Sequence, residues 1–195
     1  MWRMQRTSTT VIATVGGGAA LLAHLGATSN VRAVVTEGDA PPLDRAASAW
    51  AVAARTTTPY LVHDADPLAA VVQAWTRRYD GLAPHGELEV AVSETLARWR
   101  ARRLELPDYY LLVEPQEWPA TRRHWFLGFL AGLAPTRVLV ADAPILTTLP
   151  RLPTGRWWPE LDQVVEGIER IVPDKAGLPA GGAVTGADRA TALVL

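Results

Sequence analysis

Three consecutive glycines, Gly16, Gly17 and Gly18, follow the apolar run Val11 to Val15 and precede Ala19-Ala-Leu-Leu22. Glycines between a strand and a helix let a ligand approach the backbone, and the unpaired N–H groups of the helix's first turn suit a phosphate. The competing reading is a strand-to-helix turn that holds nothing. A second constellation is His63-Asp64-Ala65-Asp66-Pro67. Two carboxylates spaced by one residue offer the hard oxygens that Mg²⁺ or Mn²⁺ prefers, so Asp64 and Asp66 are the candidate metal pair. His63 is the candidate acid or base, and His63 with Asp64 the candidate catalytic pair. Helix capping competes for the same residues and carries more weight, because Asp66 stands just before a helix opening at Pro67.

Carboxylates recur after the other apolar runs: Glu37 and Asp39, Glu114 and Glu117, and Asp142. In the stretch Val11 to Asp39 the pattern resembles the dinucleotide-binding fingerprint of Rossmann proteins. Gly16 and Gly18 fall on its first two glycines, Leu21 on its third, and Glu37 or Asp39 near its ribose-binding acid. The resemblance implies that Gly16, Gly17, Gly18, Glu37 and Asp39 bind a nucleotide. Glu37-Gly38-Asp39 with Asp64-x-Asp66 also resembles fragments of a Toprim domain, which would make Glu37, Asp64 and Asp66 metal ligands. That family needs a further strand and helix between the two fragments, where this chain has room for one helix, so membership is not inferred. A Gly-x-Ser-x-Gly elbow, a Gly-Lys-Ser/Thr phosphate loop and a His-Glu-x-x-His metal motif are all missing from the sequence.

The elements that must position these residues alternate. Strands are expected at 11–15, 31–36, 60–62, 109–113 and 138–140. Helices are expected at 19–25, 43–55, 67–79, 87–104, 118–133 and 159–172, the fourth with Glu94 paired to Arg98 one turn on. Short apolar strands without polar alternation are what a sheet covered on both faces requires. The expected fold is therefore α/β: a three-layer α/β/α sandwich around an open, mostly parallel five-stranded sheet, Rossmann-like or flavodoxin-like. Residues 1–10 read as a loose leader, 11–172 as one domain, and 173–195 as a flexible Gly/Ala/Pro-rich tail.

Composition narrows the function. The 195 residues are 49% hydrophobic and 20% charged, with nineteen basic against twenty acidic side chains and a net charge of -1, so general nucleic-acid binding is not expected. With no cysteine there is neither a disulfide framework nor a thiolate site. Arg3 and Arg6 before an apolar stretch, with Ala27 and Ser29 before Asn30, outline a signal peptide over 1–29. Glycines and His24 interrupt it, and it is too short to span a bilayer, so a cytoplasmic protein is expected and a secreted one is the alternative. The leading expectation is binding of a nucleotide or other phosphorylated small molecule at the carboxyl edge of the sheet, with Mg²⁺-assisted phosphoryl or phosphoester chemistry if the protein is an enzyme. The alternative is a non-catalytic interaction or sensor module. It would dock a protein partner, or a second copy, through Trp157, Trp158 and the Arg-rich segments.

Overall fold

The computed structural model describes residues 8–36, 38–84, 86–155 and 157–174. Five apolar runs pair into one sheet through β1 (Thr10–Val15), β2 (Val31–Val34), β3 (Tyr60–His63), β4 (Tyr109–Leu112) and β5 (Val138–Val140). Every pairing is parallel, in the order β2-β3-β1-β4-β5. The first strand is thus central, with Thr10 opposite Tyr60 on one side and Ile12 opposite Tyr109 on the other. The apolar run that outlined a signal-peptide core folds as this strand and the helix that follows it.

Side-chain alternation divides the strands between two cores. Ile12, Val62, Tyr109, Leu111 and Leu139 pack under Leu22 and Leu25 of α1 (Ala19–Gly26), together with Leu149. Leu149 follows α7 (Ala143–Thr148), which Asp142 caps by accepting from the Ile145 N–H at 2.8 Å. On the other face Ala13, Val15, Tyr110, Leu112 and Val138 join residues of α2 (Pro42–Ala53), α3 (Ala69–Tyr79) and α4 (Glu87–Arg100). Right-handed crossovers require this division: β1 to β2 moves toward one edge of the sheet, and every later crossover moves the other way. The result is three layers with a parallel sheet between them.

Three expected helices differ in detail. The fourth stops at Arg100 because Arg102 turns left-handed, at φ 59°. Its Arg98 pairs with Asp44 of α2 at 2.6 Å rather than with Glu94. The fifth contains a π-helical stretch, His124–Leu130, between α5 (Ala120–Arg123) and α6 (Ala131–Leu133). The sixth is broken after α8 (Leu161–Val165) by Gly167 at φ 70°, and the turn lets the Ile168 carbonyl accept from Trp75 Nε1 at 3.2 Å.

Trp158 is buried, its Nε1 donates to the Pro107 carbonyl at 2.7 Å, and its ring meets Tyr110 edge-on, which ties the closing segment to the sheet. Trp157 is 41% exposed and lies against the Arg137 guanidinium. Among the described residues no helix is long and apolar enough to cross a membrane. The expected leader up to Thr7 and the expected tail from Lys175 onward lie outside the described residues.

Candidate functional site

Around β1 the chain leaves neighbouring strands toward opposite faces: α1 lies on one, and the connections from β3 and β4 lie on the other. Such a divergence opens a crevice at the carboxyl edge of a parallel sheet. Here it is a cleft of about 570 Å³, floored by Thr14 to Gly17 and walled by α2, α3, the end of β3 and the start of α5.

Gly16 has φ +87°, and a Cβ there would come within 2.9 Å of the Trp118 ring and the Val113 carbonyl. Glycine is required at this position by both conformation and space. Gly17 also lines the cleft, whereas Gly18 faces open space as the residue before α1. No side chain caps α1 and its first turn has no acidic residue, so its N-terminal field is not locally neutralised.

Asp64 is anchored. Its Oδ1 accepts from the Thr36 N–H at 2.9 Å and from the Thr36 hydroxyl at 2.8 Å, and its Oδ2 lies 3.5 Å from the Arg45 guanidinium. Arg45 Nε in turn donates to Thr36 Oγ1 at 2.8 Å, so the carboxyl ends of β2 and β3 and the first turns of α2 form one network. A divalent cation on Asp64 would have to displace that guanidinium. Asp66 turns the chain into α3: its Oδ1 accepts from the Leu68 N–H at 2.8 Å and from the Tyr110 hydroxyl at 3.0 Å. The helix expected to open at Pro67 opens instead at Ala69 with Leu68 as its N-cap, so Asp66 does not cap it; the carboxylate holds the turn two residues ahead of that cap. Burial pushes the Asp66 carboxyl up to about 6, against the opposing pull of those two donors and of Arg122. Among the described residues, no three His, Asp or Glu side chains gather as they would around a metal ion.

His63 does not line the cleft. It is 5% exposed, its Nδ1 accepts from the Ala65 N–H at 3.2 Å, and burial pulls it down to about 4, so the ring is neutral at pH 7. Asp39 is exposed and also outside the cleft lining, and Glu37 lies outside the described residues. The strand order explains the position of Asp39. In a Rossmann sheet the second strand adjoins the first, whereas here β3 adjoins β1 and β2 is the edge strand. The carboxylates beside the glycine turn are therefore Asp64 and Asp66.

The cleft also contains residues not singled out in the sequence for this role. Arg122 lies over the Trp118 ring, 4.6 Å from its centroid, and among the described residues its guanidinium has no ion pair or hydrogen bond. Arg77 is held by Glu87 at 3.1 Å, and Gln73, Thr76 and Phe126 complete this end. Trp118 is extended and precedes α5, so this contact is not a one-turn helical pair, and no local signal in the sequence marked it. The chain matches no family model, no curated protein and no solved structure.

Proposed function

We propose that the protein binds a nucleotide or other phosphorylated small molecule in this cleft, the phosphate lying against the Gly16–Gly17 backbone and the start of α1. The observation that carries the reading is Arg122, a guanidinium without a carboxylate partner among the described residues, in the cleft whose floor is the glycine turn. Guanidiniums elsewhere in the cleft are already committed, Arg45 to Asp64 and Arg77 to Glu87. A helix start without acidic neighbours adds a second attraction for an anion. The reading is one of binding, because His63 is not among the residues that line the cleft and Asp64 is engaged by Thr36 and Arg45.

The test is a thermal-shift and calorimetric screen of nucleotides, pyrophosphate and sugar phosphates, with and without Mg²⁺. A ligand at about 100 times its Kd should add ~2.7 kcal/mol of stability, equivalent to a Tm rise of roughly 5–10 °C for a chain of this size. Arg122→Met should weaken binding at least about tenfold, since a charge-assisted hydrogen bond is lost. Gly18→Val should weaken it while leaving the fold intact, because the new side chain enters open space at the helix start. No response to any phosphate, or full affinity in Arg122→Met, overturns the proposal.

A further inference from the structure

The cleft holds two opposite charges that do not meet. Arg122 stands in α5, after β4, and Asp66 in the turn that follows β3; both line the cleft. Among the described residues neither forms an ion pair, although Arg122 is near enough to pull the Asp66 carboxyl down against the effect of burial. The other charged residues of the lining are cancelled, Arg45 by Asp64 and Arg77 by Glu87. Because β1 runs between β3 and β4, the glycine turn at its end lies between the side of the cleft that carries Asp66 and the side that carries Arg122.

A phosphate on that turn therefore meets a cation on one side and a carboxylate on the other. Its first negative charge is taken up by Arg122. A second charge, as on a monoester at neutral pH, finds no further uncommitted guanidinium in the lining and faces Asp66 instead. A dianion also costs more to desolvate than a monoanion, because the Born cost grows as the square of the charge. An ester oxygen in the same position carries no formal charge. The cleft has space for the group that such an oxygen would carry, since its volume of about 570 Å³ extends past the turn to Pro42 of α2 and to Ala69 and Val72 of α3.

We infer that the ligand is a phosphodiester rather than a phosphate monoester, its single negative charge held by Arg122 and the glycine turn and its second ester oxygen turned toward Asp66. The inference rests on the phosphate-binding reading above. Nucleotide diesters and polyol diesters share this chemistry, and the titration separates them.

The experiment is calorimetric titration of the whole chain at pH 8, where Asp66 is ionised, with two matched pairs: adenosine 5′-monophosphate and its methyl ester, and glycerol 3-phosphate and glycerophosphoglycerol. The diester should bind at least about fivefold tighter than its monoester, the order of one unit-charge repulsion across a partly solvated cleft. A preference in the first pair alone assigns a nucleotide diester, and in the second alone a polyol diester. Asp66→Asn keeps an oxygen for the Leu68 N–H and the Tyr110 hydroxyl but removes the charge, so the monoester should gain affinity until the pair is equal. If Asp66→Asn does not fold, the wild-type protein at pH 5 serves as the test. There a monoester carries a single charge and Asp66 is largely protonated, so the preference should vanish. Monoesters that bind as tightly as their diesters at pH 8 overturn the inference and leave phosphate binding standing. A preference that persists in Asp66→Asn, or at pH 5, belongs to contacts of the added ester group rather than to charge, and also overturns it. Binding of none of the four overturns the phosphate reading and this inference with it.

Discussion

His63 and Asp66 should oppose each other in the pH dependence of stability, and removing either should unmask the other. Burial pulls the His63 imidazole from 6.5 to about 4, with the Asp64 charge and the Ala65 N–H acting in the opposite direction. It pushes the Asp66 carboxyl from 3.8 to about 6. At about 1.4 kcal/mol per tenfold change in proton affinity, each displacement corresponds to roughly 3 kcal/mol. For His63, whose folded pKa is depressed, the contribution is present above 6.5 and lost as pH falls through about 4. For Asp66, whose folded pKa is raised, it is present below 3.8 and lost as pH rises through about 6. The windows overlap and the slopes have opposite signs, so the pair contributes little net change in the wild type. Relative to wild type, Asp66→Asn should lose up to roughly 3 kcal/mol between about pH 7 and pH 4, and His63→Asn should gain a similar amount. The amide oxygen in each variant can still accept the backbone N–H that the native side chain accepts. Urea unfolding followed by tryptophan fluorescence measures both slopes, and the wild-type curve subtracts the acid sensitivity of every other group. An Asp66→Asn slope parallel to wild type would refute the reasoning.

Gly16→Ala should cost at least about 2 kcal/mol in denaturant unfolding, since φ +87° and a 2.9 Å approach to Trp118 and Val113 both oppose a Cβ. Gly18→Ala, at φ -91° and in open space, should change stability by about 0.5 kcal/mol or less; a similar loss at the two positions would contradict the different surroundings described for them. Trp158→Phe should cost about 1–3 kcal/mol by leaving the buried Pro107 carbonyl without its 2.7 Å donor, again read from unfolding curves. Asp142→Ala should cost about 1 kcal/mol through loss of the α7 cap, with an unchanged unfolding midpoint arguing against that cap.

The strands were legible because runs such as Tyr60-Leu-Val and Val138-Leu-Val can be buried on both faces only within a covered parallel sheet. Their order was not. All five runs look alike, and nothing local to Val31–Val34 marks it as an edge strand two places from β1. Without that order the acid expected near the glycine turn was sought after β2, at Glu37 or Asp39, whereas β3 adjoins β1 and Asp64 and Asp66 line the cleft. The glycine turn was readable from Gly16 to Gly18 because its requirement is local backbone geometry. Arg122 was not singled out, since its place in the cleft depends on Trp118 and on elements distant in sequence. The break at Gly167 was hidden by the apolar spacing of Leu161, Val164, Val165 and Ile168, which continues through it.

The central place of β1 has a consequence for how the chain is made. Its Val11 N–H donates to the Asp108 carboxylate, 97 residues later, and β4 completes its second edge immediately after. At a synthesis rate of about 5–20 residues per second, roughly 5–20 s pass between the appearance of β1 and that of its last neighbour. For that interval a strand destined to be buried along its whole length has an open edge, on which β3 alone of its partners can already have formed. Slowed translation between Tyr60 and Tyr109 would lengthen the exposure and favour aggregation of the nascent chain, without altering a single contact of the finished protein.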